Sequence, residues 1–149
     1  MENKNYNKLY LMTGIHFVIM FIIMYAMVDI WDHVYFNLNK VYMATLMTAP
    51  MIIMEIIMMK SMYKKSKRNI AILTAAAVII LAAFISVRTQ TAIQDKEFLR
   101  SMIPHHSSAI LMCEEAGITD PEIKTLCDSI KAAQIREIEQ MQSILERLD

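Results

Sequence analysis

The sequence predicts an all-α protein in which three transmembrane helices precede a helical hairpin outside the membrane. Three observations carry this expectation. The chain holds three apolar runs near the ~20 residues that a helix needs to cross a bilayer core. Its charge is split: residues 1–90 carry nine Lys and Arg against four Asp and Glu, net +5, whereas residues 91–149 carry six against eleven, net −5. Beyond residue 91, two stretches of helical periodicity flank Gly117-Ile118-Thr119-Asp120-Pro121. The expected domains are therefore 1–90, in the membrane, and 91–149, outside it.

Composition narrows the function classes. A 56% hydrophobic content with two glycines excludes collagen-like, low-complexity and disordered chains, and two glycines cannot build a phosphate-cradling loop. The acidic outer half argues against nucleic acid as a partner, because phosphate contacts need Lys and Arg.

The first span, about residues 9–28, contains no Asp, Glu, Lys or Arg. It is too long for a signal-peptide core and no small-residue cleavage site follows, so it reads as retained. The second span, about 41–62, carries Glu55 within its apolar stretch, and the third, about 70–87, has no ionisable residue. Between the last two lies Tyr63-Lys64-Lys65-Ser66-Lys67-Arg68-Asn69, and four cations in seven residues mark a cytoplasmic loop. The N-terminus, with Lys4 and Lys8, is then also cytoplasmic. The loop after span one, with Asp29, Asp32, His33 and the interfacial anchors Trp31 and Tyr35, suits the outer side. Three crossings place the C-terminal domain in the periplasm or outside the cell, anchored to a bacterial inner (plasma) membrane.

Eleven of the fifteen Met lie in spans one and two. Met43, Met47, Met51, Met54, Met58 and Met62 form one helical face, as do Met12, His16, Met20, Met24 and Met27. An antiparallel pairing that sets Met12 against Met59 also sets His16 against Glu55, Met20 against Met51 and Met24 against Met47. Two readings stand. Met is an adaptable apolar filler. It is also a soft thioether ligand for Cu(I), so His16, Met20, Met24, Met47, Met51, Met54, Glu55 and Met58 form a candidate membrane pathway for that ion.

The first outer helix is expected from about Thr91 or Asp95 to Ala116, with Asp95 as N-cap. No Gly or Pro interrupts Asn69–Ile103, so span three could continue into it. Gly117 is expected to end it in a left-handed C′ position. Asp120 caps the second helix, with Pro121 in its first turn. One face of the first helix carries Phe98, Met102, His105, Ala109, Met112 and Cys113, with His106 at its edge. Antiparallel pairing then brings Met102 and both His opposite Gln134, Glu137 and Ile138, and Cys113 opposite Cys127. A hairpin this short buries little core, so a second copy is expected to complete a four-helix bundle, giving a homodimer or higher homo-oligomer. Imidazole and thioether on one face suit copper in either oxidation state. Tandem His at a seam could equally be hydrogen-bonded to Gln134 or Glu137.

The run Asp95-Lys96-Glu97-Phe98-Leu99-Arg100-Ser101-Met102-Ile103-Pro104-His105-His106-Ser107-Ser108-Ala109-Ile110-Leu111-Met112, followed by Ile130, Gln134, Glu137-Ile138 and Met141, resembles the signature of a bacterial domain-of-unknown-function family. That family includes CopM-type periplasmic copper-binding proteins. The likeness covers roughly residues 93–148 and implies a ferritin-like helical-bundle fold. It implies a copper site, Cu(I) or Cu(II), on Met102, His105, His106, Met112 and Met141, with Gln134, Glu137 and Asp95 in support. Three positions depart from the pattern: Cys113 and Cys127 replace residues that are usually small, and Ile144 replaces a frequent Trp. The two Cys could close a disulfide in an oxidising compartment, ligate copper as thiolates, or pack as small thiols, and the disulfide is favoured.

The function expected is a membrane-anchored copper-binding protein of envelope metal homeostasis, with metal ion and membrane lipid as its partners. Copper transport along the Met faces is one alternative, and a metal-free structural oligomer is another. No Glu-x-x-His pair or activated nucleophile is present in the sequence, so enzyme activity is not expected.

Overall fold

The computed structural model describes residues 2–148, which form five α-helices and a single 3-10 turn, with no strand among them. The helices are α1 (Glu2–Ile23), α2 (Leu38–Met58), α3 (Ser66–Thr89), α4 (Asp95–Glu115) and α5 (Pro121–Leu148). The chain divides into two compact units. One comprises the chain up to Met24 together with Asn39–Thr91, and the other Tyr25–Leu38 together with the chain from Ala92. The boundary expected near residue 90 is present, but the segment between α1 and α2 belongs with the C-terminal hairpin.

In the first unit, α1, α2 and α3 are each long and apolar enough to cross a membrane. Helix α1 stops at Ile23, short of the expected 28, and Lys40 Nζ donates to the Met24 carbonyl at 2.6 Å. That cation satisfies a carbonyl just past the helix end. Tyr6 and Leu9 of α1 are fully buried and pack with Ile56 and Tyr63, joined by Ile72 and Leu73 of α3. Helix α2 turns Ala44, Thr48, Ala49 and Ile56 inward. Small residues let helices approach closely where lipid supplies no hydrophobic drive.

The Met face of α2 consequently points away from that packing, with Met47 46%, Met54 60% and Met58 76% exposed. The helix pairing also differs from the one expected. Leu9 packs with Ile56, and Thr13, Gly14 and Phe17 share a cavity with Thr45, Thr48 and Ala49. Glu55 accepts a hydrogen bond from Tyr63 at 2.5 Å, and His16 lies more than a turn deeper than Glu55 along the paired helices. The buried Tyr6–Tyr63 edge contact fixes the register, which Met periodicity does not encode.

Helix α3 does not run on into α4. Gln90 and Ala92 take left-handed backbone angles, with φ of 50° and 59°. Such angles cost a non-glycine residue about 1–2 kcal/mol. Side chains offset the cost: Gln90 and Asn39 exchange amide hydrogen bonds of 3.0 and 3.2 Å, and Gln90 Nε2 also donates to Val87 O at 2.7 Å. The Tyr42 hydroxyl donates to Thr91 O at 2.8 Å.

In the second unit, α4 and α5 form the expected hairpin around Leu99, Ile103, Ile110, Ile138, Met141 and Leu145. Asp95 is the first helical residue rather than the cap, since Gln94 precedes it in an extended conformation. Its carboxylate there still suits the helix dipole. The helix ends because Ala116 turns extended, and Gly117 does not take a positive φ. Asp120 caps α5 as expected, its Oδ1 accepting from Glu122 N and Ile123 N at 2.9 and 3.0 Å. Cys113 and Cys127 form a disulfide with Cα atoms 5.4 Å apart, so neither thiolate is available to a metal.

Pro104 stands inside α4 and has no N–H to give the Arg100 carbonyl. Asn37, only 1% exposed, supplies the missing donor through Nδ2 at 3.3 Å and also donates to Tyr35 O at 3.0 Å. Glu97 Oε2 accepts from Leu38 N at 3.0 Å, and Tyr35 packs on the hairpin core. Replacing Asn37 by Ala removes both of these hydrogen bonds, the Tyr35 carbonyl keeping its bond from the Tyr25 hydroxyl, and is expected to destabilise this unit by about 1–3 kcal/mol. Hydrogen exchange across residues 25–38 of the full chain in detergent would show it as lost protection. The disulfide closes a loop of 14 residues in sequence separation. Its reduction is expected to cost about 3 kcal/mol, read as a lower thermal midpoint for the hairpin in reductant.

Candidate metal site at the hairpin seam

Pro104 and the residues after it set which side chains α4 presents. His105 projects to solvent, while His106 and Ser107 are buried. His106 Nδ1 lies 3.0 Å from the Met102 carbonyl, one turn back, and Nε2 lies 2.7 Å from Glu137 Oε2 on α5. A carbonyl can only accept, so Nδ1 carries a proton. This is the arrangement by which a backbone carbonyl fixes the tautomer of a metal-ligating imidazole and leaves Nε2 as the ligand atom.

Elsewhere along the seam lie soft side chains and an unsatisfied oxygen. Met141 is buried in the hairpin core and Met102 packs against it. Gln134 Oε1, one turn before Glu137 and Ile138, is buried without a hydrogen-bond partner. An unpaired buried carbonyl oxygen costs free energy that a cation would recover. The His105 ring lies edge-on to His106, centroids 6.0 Å apart. Met112 is set apart: six residues on from His106, or about 9 Å along the helix axis, it is 57% exposed beside the disulfide. Asp95 sits at the far end of α4. The structure thus groups Met102, His106, Gln134, Glu137 and Met141 along one seam, with His105 at its edge.

Among the described residues, no three His, Cys, Asp or Glu side chains are placed to hold a metal. Any ion gripped at this seam in one chain must therefore draw on thioether or amide groups. In the spans, His16, Met20, Met24, Met51 and Glu55 are half-buried, and Met47, Met54 and Met58 are exposed.

A second polar cluster was not anticipated. The Ser107 side chain is fully buried, its Oγ accepting from Asp29 N at 2.9 Å and lying 2.9 Å from His33 Nδ1. Burial lowers the His33 pKa from 6.5, against the smaller upward pull of Asp29 and Asp32. A neutral His33 can accept a hydrogen bond at Nδ1 from the Ser107 hydroxyl, which donates it. No substrate can reach that hydroxyl, so the pair fastens the segment to α4 rather than activating a nucleophile. The same burial pushes the Tyr25 hydroxyl, bonded to Tyr35 O at 2.7 Å, up to about 12. The sequence signal for this docking was Pro104, which guarantees an orphan carbonyl at Arg100.

A three-helix unit apolar enough to cross a membrane and an α-hairpin in which a buried His106 meets a half-exposed Glu137 thus define an all-α protein with a polar seam on its hairpin. The sequence pattern of a domain of unknown function, DUF305, matches residues 58–145, from the end of α2 to near the end of α5. The chain belongs to the DUF305 family. An uncharacterised protein of Acanthamoeba polyphaga mimivirus is 42% identical over 112 residues, spanning 74% of this chain and 72% of its own. No solved structure matches the chain.

The His33–Ser107 pair makes the docked segment sensitive to acid. Its folded pKa lies below the unfolded 6.5, so its contribution is complete above that value. As pH falls through 6.5 toward the folded value, the unfolded chain takes the proton first and stability is lost. Fluorescence of Trp31, the only Trp, is expected to report loosening of residues 25–38 below pH 6.5. His33→Asn would flatten that dependence.

Proposed function

We propose that this is a membrane-anchored copper-binding protein that captures the ion at the α4–α5 seam, without turnover. The observation that carries the reading is His106: Nδ1 is committed to the Met102 carbonyl and Nε2 is directed at Glu137, while Gln134, one turn before Glu137 on α5, has a buried oxygen without a partner. Met102 and Met141 supply the softness that favours Cu(I), and His105 offers a second imidazole at the rim. Met112 joins only through a second site or a second copy. Copper would take the place of the proton between His106 and Glu137, so binding releases that proton and strengthens as pH rises.

The anchored topology has its own support. After three crossings, residues 25–38 and the C-terminal hairpin emerge on one side, and these segments share hydrogen bonds. The Cys113–Cys127 disulfide suits an oxidising compartment, and the Lys- and Arg-rich loop after α2 suits the cytoplasm. A bacterial plasma membrane, with the hairpin periplasmic or extracellular, meets these conditions. Phe98, Ile123, Leu126 and Ile135 leave apolar surface on the hairpin, which supports a second copy completing a ferritin-like four-helix bundle.

Competition for Cu(I) against a chromogenic chelator, with the full chain in detergent, tests the site. His106→Ala and Met102→Leu with Met141→Leu are each expected to weaken binding at least about tenfold, in the range found when ligands or their supports are lost. His105→Ala should do less. Undiminished affinity in His106→Ala would reject the proposal.

A further inference from the structure

We propose that the cationic end of the three-helix unit holds an anionic phospholipid, its phosphate at Arg68 and its acyl chain in a groove along α3. The inference rests on the reading that α1, α2 and α3 span a membrane. A cavity of about 380 Å³ runs along α3 from Arg68 to Ile79, with Tyr10 and Ile52 on its other walls. Eleven residues of helix make it about 16 Å long. Ala71, Ala75 and Ile79 are exposed within it, so it opens on the side where lipid chains would lie.

The mouth of the groove is built to receive an anion. Arg68 lies 4.2 Å over the Tyr6 ring and 5.6 Å from the Tyr10 ring, which holds the guanidinium in one place. Its hydrogen-bond partners are neutral: Asn3 Oδ1 and the Tyr10 hydroxyl, each at 3.4 Å. Arg68 belongs to the first turn of α3, whose N-terminus has no side-chain cap, so the helix dipole adds to its charge. Asn5 and Tyr6 bond across to Met62 O and Asn69, which gathers the start of α1 and the loop after α2 at one end. Lys4, Lys8, Lys60, Lys64, Lys65 and Lys67 lie in those two segments. An apolar groove ending in a fixed cation, whose hydrogen-bond partners among the described residues are neutral, within a basic rim matches a phosphate head on an acyl tail, with each part where the membrane would put it.

The full chain, reconstituted into nanodiscs of phosphatidylcholine with or without phosphatidylglycerol, would be released into native mass spectrometry and its retained lipids counted. Phosphatidylglycerol should be retained over phosphatidylcholine. Arg68→Gln should cut that preference about fivefold, the effect of one cation near the headgroups. Ala75→Trp, which fills the groove without touching charge, should lower retention of both lipids, and helical circular dichroism would confirm that both variants fold. Equal retention of the two lipids by the unaltered chain would overturn the proposal. So would a preference that survives Arg68→Gln and disappears only when Lys64, Lys65 and Lys67 are all changed to Gln. A chain that never enters the discs would overturn the membrane reading itself, whereas one that enters and shows no preference would overturn only this site.

Discussion

A proline inside a helix leaves one carbonyl without its donor, and much of the second unit follows from how that vacancy is filled. Pro104 cannot bond to Arg100 O, and the buried Asn37 amide bonds there instead. The segment that carries Asn37 is distant in sequence, lying between the first two apolar helices. It docks through Glu97 and Ser107 as well, so three points one to two turns apart on α4 hold it. The hairpin is thereby not an appendage to the third span. It is a unit assembled from two stretches of chain, and its integrity depends on both.

The same stretch of α4 prepares the polar seam. His105 and His106 follow the proline directly, and the helix sends one to solvent and the other inward. The inward ring is oriented by a backbone carbonyl and faces a carboxylate on the opposite helix. One turn before that carboxylate on α5, Gln134 keeps a buried oxygen unpaired. A site at rest that is fully satisfied has little to gain from a ligand, whereas this one has a vacant buried acceptor. The disulfide near the turn ties the two helices together at the other end of the seam.

Much of this was legible in the sequence. Helix number, the hairpin turn and the Asp120 cap follow from apolar run length, periodicity and capping chemistry. The His106–Glu137 and Cys113–Cys127 pairings follow once antiparallel register is assumed. Other features depend on information that periodicity lacks. Met47, Met54 and Met58 share a face, but the opposite face of α2 carries Ala44, Thr48 and Ala49, and small residues win the inward position because backbones can then approach. The break at Gln90 and Ala92 has no Gly or Pro to announce it, because an amide pair with Asn39 supplies the stabilisation instead. Gly117 looked like a left-handed stop, yet Ala116 ends the helix by turning extended. The docking of residues 25–38 was visible only as an unpaired carbonyl, which reads as a prediction once the donor for Arg100 is asked for.

Two different chemistries are therefore separated along one chain: a basic, aromatic-clamped end on the apolar helices, and a soft, partly unsatisfied seam on the hairpin. Copper capture depends on thioether and imidazole meeting at that seam. X-ray absorption spectroscopy of the copper-loaded full chain addresses it directly. The account predicts sulfur and imidazole nitrogen in the same Cu(I) coordination sphere, with the sulfur signal lost when Met102 and Met141 are both changed to Leu. A spectrum of nitrogen and oxygen neighbours alone, unaltered in that variant, would contradict it.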